Sequence, residues 1–267
     1  YFIGFLHCMP FLLIAATALN APSEQFIQKS ILSQAQDKLN KINPVVIGVT
    51  GSFGKTSVKK ILGHILSKHK PTLATPGSVN TPMGISRIIN EELKFSHHYF
   101  VVEMGAYTNN SIKKICDLTN PQYGIITSIG PCHLERFGSI ENIVTAKSEL
   151  IDHIISSKAA LGYTFNETLS QYEILKSHSE STLMKPLLEC VGSDHSINGV
   201  SLTLREPESE EKFELHAPIY GQHQIDNIRT AASVAVHLGV PTTTIAQALR
   251  SLPQTSARLE VKEDTRN

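Results

Sequence analysis

The stretch Gly48-Val-Thr-Gly-Ser-Phe-Gly-Lys-Thr-Ser57 constrains this chain more than any other. The apolar run at 45–49 has the length of a buried strand, and a helix-forming stretch opens at Lys55-Thr56. A glycine turn between strand and helix aims backbone N–H groups and the positive end of the helix at one point, a geometry that holds a phosphate. Lys55 then reaches the terminal phosphates, and the Thr56 hydroxyl suits Mg²⁺. Gly51, Ser52, Phe53, Gly54 and Ser57 complete the loop. Val49 occupies the first glycine position of the usual G-x-x-x-x-G-K-T, so the form here is T-G-x-x-G-K-T-S.

What surrounds the loop sets the fold class. Apolar runs at 45–49, 72–74, 99–102 and 123–127 predict strands. Helical periodicity predicts helices over 56–69, 83–93, 111–118, 140–155, 225–238 and 243–252. Such alternation implies an α/β fold, a mostly parallel sheet with helices on both faces. Residues 158–220 are less regular, with a candidate antiparallel pair at 201–204 and 212–215 around the polar run 206–211. No low-complexity linker interrupts the core, so residues 45–253 read as one domain, with 254–267 as a separate segment after it.

The start of the chain is different. No Asp, Glu, Lys or Arg precedes Glu24. Residues 1–19, YFIGFLHCMPFLLIAATAL, would make a helix about 28 Å long, near the hydrocarbon thickness of a bilayer. A transmembrane helix over 1–21 is the expectation. A signal peptide, which lacks its basic region here, and a buried helix are the alternatives. Residues 22–44 read as an amphipathic connecting helix with Ser23 as N-cap and Pro44 as its stop. Lys29, Lys38 and Lys41 after the apolar stretch favour a cytoplasmic location downstream, with the membrane as partner through residues 1–19. Overall, 24 basic and 24 acidic residues cancel, which argues against a nucleic-acid partner. Four scattered cysteines form no C-x-x-C pair, so neither a disulfide framework nor a structural zinc site is expected.

Five further stretches, in order, join the loop. Thr75-Pro-Gly-Ser-Val-Asn-Thr-Pro-Met-Gly84 follows the second strand, and Glu103-Met-Gly-Ala106 closes the third. Ile129-Gly-Pro-Cys-His-Leu-Glu-Arg-Phe-Gly-Ser139 precedes Ala146-Lys-Ser-Glu-Leu150. Tyr220-Gly-Gln-His-Gln-Ile-Asp-Asn-Ile-Arg-Thr-Ala-Ala232 opens a late helix, and Ala257-Arg-Leu-Glu260 follows. Across residues 45–260 this series resembles the central, P-loop NTPase-like domain of the Mur ligases, ATP-dependent amide ligases of peptidoglycan precursor synthesis. The E-M-G-A and H-L-E-x-F-G-S forms look most like the branch that joins D-alanyl-D-alanine to UDP-MurNAc-tripeptide.

The resemblance implies roles for individual residues. The cofactors would be ATP and Mg²⁺, and the small-molecule partners UDP-MurNAc-peptide and D-alanyl-D-alanine. Lys55, Glu103, His133 and Lys147 would form the catalytic set. Thr56, Glu103, His133 and a carbamylated Lys147 would hold metal. Asn227 would contact the adenine and Arg258 its ribose. Asn80 and Thr81 would meet the UDP-sugar peptide. Taken without the resemblance, Glu103 also fits a strand-end salt bridge, Lys147 a solvated helix lysine, Asn227 and Arg258 surface positions, and residues 76–82 a plain turn.

Two departures stand out. Asn110-Ser111-Ile112 replaces a Gly-acidic-Ile step, and Gln222 and Gln224 replace a basic residue and an asparagine around His223. The series stops at the hinge, where the family continues into a C-terminal domain that closes over ATP, so nucleotide binding is expected to outlast turnover in this chain. Other amide ligases of the superfamily, of folylpolyglutamate or poly-glutamate synthase type, and a membrane-anchored ATP-binding module are the competing readings.

Overall fold

The computed structural model describes residues 2–157, 161–164, 188–196, 198–206 and 211–253, the side chains of 2–8, 10–20 and 161–164 excepted. Five strands form a wholly parallel sheet: β1 (Val45–Thr50), β2 (Thr72–Ala74), β3 (Tyr99–Glu103), β4 (Tyr123–Ile126) and β5 (Leu161–Thr164), in the order β2-β3-β1-β4-β5. β1 is central, and its Val49 lies opposite both Glu103 and Ile125. The loop leaving β1 is therefore flanked by the C-terminal ends of β3 and β4, where open α/β sheets bind ligands.

Side chains alternate across the pleat and fill two cores. Ile47, Val49, Val101 and Ile125 pack on one face against helix α2 (Lys55–Ser67) and two later helices. Val46, Phe100 and Val102 pack on the other against α3 (Pro82–Glu92), α4 (Ser111–Thr119) and α6 (Ile140–Ser156). A single turn, α5 (Leu134–Phe137), precedes α6. The later helices are α7 (His223–His237) and α8 (Thr242–Arg250). Beside them β6 (Glu189–Ser196), β7 (Gly199–Arg205) and β8 (Lys212–Ala217) form a separate antiparallel sheet. The expected pair is β7–β8. β5 and β6 lie in the stretch that sequence periodicity leaves irregular.

The chain's start departs from expectation. One helix, α1 (Phe2–Ile42), replaces the two expected over 1–21 and 22–44. Ser23 lies within it rather than at its N-cap, because the alanine-rich stretch before residue 22 favours helix and continues into the next turns. Among the described residues no helix is long and apolar enough to cross a membrane, so the span expected at 1–19 finds no support. That call also falls largely on side chains outside the described residues. The C-terminal half of α1 is part of the globular body: Ala35 and Leu39 are buried, and Lys38 Nζ donates to the Asn90 carbonyl at 2.8 Å.

Candidate active site

The loop between β1 and α2 has the strand, glycine turn and helix that its sequence implies. Gly51 and Gly54 both have positive φ, 149° and 82°. Gly54 is the N-cap of α2, whose first turn holds no acidic residue and no side-chain cap. The helix thus presents its first N–H groups and positive end to the loop, as an anion site requires. Neither glycine has room for a side chain. A Cβ on Gly51 would lie 1.9 Å from Thr127 Oγ1, and one on Gly54 2.7 Å from Asn227 Oδ1. The second contact sets Asn227, at the start of α7, directly beside the loop. Ser52 ties the other flank down: its hydroxyl donates to the Gly130 carbonyl at 2.9 Å and accepts from the Gly130 N–H. Phe53 is exposed at the tip of the loop, and Ser57 is half-buried on α2.

Two amines converge on one carbonyl oxygen. Lys55 Nζ lies 2.7 Å from Gly51 O, and Lys147 Nζ, arriving from α6, lies 2.9 Å from the same atom. Lys147 is buried, so it is not a solvated helix lysine. Burial first, and the charge of Lys55 second, pull its amine down to about 7, while Cys132 acts in the opposite sense. The amine is therefore largely neutral just above that pH, the form that carbamylation needs. The shift also has a stability consequence. The unfolded chain binds more protons than the folded one between about pH 7 and 10.5. The Lys147 contribution to stability therefore rises with pH across that window, by at most about 1.4 kcal/mol per pH unit. In carbon-dioxide-free buffer, which keeps the Lys147 amine free, urea unfolding from pH 7 to 10 should show wild type gaining on Lys147→Met by up to about 4 kcal/mol, whereas a constant gap would contradict the buried-amine reading.

Glu103, at the end of β3, is the hub. It is 1% exposed. Its Oε2 accepts from Thr56 Oγ1 at 3.0 Å and from Lys59 Nζ at 2.9 Å, and its Oε1 accepts from Asn80 Nδ2 at 3.2 Å. One carboxylate thus joins the phosphate loop to the loop after β2. Tyr107 OH extends the chain by donating to Asn80 Oδ1 at 2.9 Å, and the Tyr107 and His133 rings are 6.1 Å apart. His133 is exposed, in the left-handed region at φ 62°. Thr81 has a local role: its hydroxyl accepts from the Gly84 N–H and caps α3. Arg258 lies outside the described residues.

The hard oxygen donors of Thr56 and Glu103 fit Mg²⁺, which takes one or two protein ligands and completes its shell with phosphates and water. Among the described residues no group of three or more His, Cys, Asp or Glu gathers to hold a metal unaided. A cavity of about 500 Å³ flanks α2, lined by Ser57, Lys59, Lys60, Thr75, Gly77 and Gln224 among others. That volume lies within the range of small-molecule sites.

The structure accounts for one departure in sequence. Asn110 adopts φ 65°, a left-handed conformation that asparagine tolerates in place of glycine. Its N–H and that of Lys113 donate to the Glu149 carboxylate at 2.6 and 2.9 Å. An acid from α6 thus caps α4. Sequence reasoning missed Lys59 and Tyr107. Lys59 had a faint signal, because it follows Thr56 by three positions and shares its helix face.

The sequence matches the Mur ligase middle domain family over residues 49–235. It is 29% identical over 224 residues to the UDP-N-acetylmuramoyl-tripeptide–D-alanyl-D-alanine ligase of Haemophilus influenzae, covering 82% of this chain and 48% of that protein. The chain thus spans about half the length of the curated relatives it matches. The fold is similar to that of the UDP-N-acetylmuramoylalanyl-D-glutamyl-2,6-diaminopimelate–D-alanyl-D-alanyl ligase of Acinetobacter baumannii, with TM-score 0.77, 25% identity, and coverage of 89% of this chain and 53% of that one. It is also similar to MurF ligase of Thermotoga maritima, solved in complex with ADP, with TM-score 0.73, 25% identity, and coverage of 89% and 55%.

Proposed function

The chain belongs to the Mur ligase middle domain family, and from that premise we propose that it is the nucleotide-binding core of an ATP-dependent amide ligase of peptidoglycan precursor synthesis. The acceptor is UDP-MurNAc-tripeptide and the incoming amine is D-alanyl-D-alanine, as the name of the Haemophilus relative reads. One observation carries the reading beyond ATP binding. The buried Glu103 carboxylate bonds Thr56 of the phosphate loop with one oxygen and Asn80 of the next loop with the other. A module that only held ATP has no use for that bridge.

The chemistry follows from the weakness of a carboxylate as an acyl donor. A carboxylate oxygen of the acceptor attacks the γ-phosphorus of ATP, and ADP leaves. The amine of the dipeptide then attacks the acyl carbon. The C–N bond forms, inorganic phosphate departs with the former carboxylate oxygen, and the amine loses a proton. Both steps concentrate negative charge, so catalysis is chiefly positioning and electrostatics.

Lys55 and the N-terminus of α2 hold the terminal phosphates. Asn80, fixed by Glu103 and Tyr107, orients the acceptor, with Thr81 shaping the same loop. Asn227, packed on Gly54, meets the adenine, and Arg258 its ribose. Mg²⁺, held by Thr56 and Glu103 and at a second position by His133 and carbamylated Lys147, would supply Lewis-acid neutralisation of the phosphates. Dependence on ATP assigns the reaction to the bacterial cytoplasm.

An amine-acceptor screen on the full-length protein with ATP and Mg²⁺, read by mass spectrometry, tests this. The expected product is UDP-MurNAc-pentapeptide. Phosphate release with folate and glutamate instead, or no amide with any pair, would contradict it.

A further inference from the structure

Lys59 is a buried ammonium inside the site that none of the proposed chemistry uses. It lies on α2, 1% exposed, with Glu103, also 1% exposed, at 2.9 Å. Its Nζ also donates to the Gly77 carbonyl at 2.6 Å, which pins the loop after β2 to α2. On the other side of the phosphate loop, the Lys55 and Lys147 amines meet at Gly51 O. Three amines therefore surround this stretch, and Glu103 is the carboxylate that Lys59 and Thr56 share. A divalent cation approaching Glu103 meets a carboxylate whose charge is already matched. The phosphates of a bound nucleotide bring the negative charge that reverses that balance.

We propose that Lys59 is a positioning residue, the standing counter-ion of Glu103, which makes capture of a divalent cation at Glu103 depend on bound nucleotide. This rests on the nucleotide-site reading above. The arrangement keeps Glu103 aimed and ion-paired between turnovers. It also orders events, since the metal enters with the nucleotide rather than before it. The Gly77 contact extends the effect to the acceptor side, because the same ammonium fixes the loop that carries Asn80.

Mn²⁺ is the probe, its free concentration followed by electron paramagnetic resonance during titration of the full chain with and without ADP. Wild type should bind Mn²⁺ at least about tenfold more tightly with ADP than without, and Lys59→Arg should behave the same, because it keeps the charge. Lys59→Met should bind Mn²⁺ without nucleotide at least about tenfold more tightly than wild type does. Adding Glu103→Gln to Lys59→Met should abolish that gain. Equal nucleotide-free binding by a folded Lys59→Met, checked by circular dichroism, would overturn the proposal. The wild-type arm decides even without a folded Met variant: nucleotide-free Mn²⁺ binding as tight as that with ADP overturns the role of Lys59 alone. Failure of wild type to bind ADP at all overturns the nucleotide site, and this role with it.

Discussion

Gly51→Ala is expected to weaken ADP binding by more than about tenfold and to destabilise the fold by about 2–4 kcal/mol. Two costs add. The backbone stands at φ 149°, and the new Cβ would fall 1.9 Å from Thr127 Oγ1. Thr127 cannot yield cheaply, because its buried hydroxyl bonds the carbonyls of Thr50 and Phe53 at the two ends of the turn. Relief must come from the loop, which is the part that holds phosphate. Gly77→Ala separates the two costs. Gly77 also has positive φ, 51°, but a Cβ there meets nothing within 4 Å. It should cost only about 1–2 kcal/mol, the price of the backbone conformation. Urea denaturation of both variants, with calorimetric ADP titration, checks the pair. Equal losses at the two positions would mean that the packing against Thr127 is unimportant.

The second large effect concerns the buried ion pair. Glu103→Leu leaves the Lys59 ammonium buried without its partner, and removal of one member of such a pair costs about 3–5 kcal/mol. The double variant Lys59→Met/Glu103→Leu replaces both charges with apolar groups and should recover most of that stability, since buried pairs add little net stability over packed hydrophobic residues. Nucleotide-dependent Mn²⁺ binding should stay lost in the double variant. Stability and metal binding thus part company, as expected of a pair retained for function rather than for folding. If the double variant unfolded as readily as Glu103→Leu, the pair would be contributing to stability in its own right.

The parallel sheet was legible because its first four strands are apolar runs closed by turn residues, and because each is followed by a helix with a clear apolar face. β6 was not legible: Glu189–Ser196 is mostly polar and mostly exposed, so no alternation marks it, and pairing with β7 makes it a strand. The continuity of α1 was hidden by Pro22 and Ser23, which look like a helix start but lie inside one. Within the site, residues on the phosphate loop could be read from spacing, because adjacent positions share one turn. The Glu103 hub could not. Thr56 and Lys59 on α2, Asn80 after β2 and Tyr107 after β3 come from three segments, and the strand registers of the sheet bring them together. Without the resemblance, Lys147 reads as a solvent-facing lysine, because helical periodicity cannot distinguish a buried polar position from an exposed one.

The central claim is that ATP bound at this loop activates a carboxylate. The direct measurement is isotope transfer by the full-length protein, with UDP-MurNAc-tripeptide labelled with ¹⁸O in its terminal carboxylate and supplied with ATP, Mg²⁺ and D-alanyl-D-alanine. If an acyl phosphate forms, one labelled oxygen from each acceptor appears in the inorganic phosphate. Consumption of ATP with unlabelled phosphate, the label remaining on the acceptor, would contradict it.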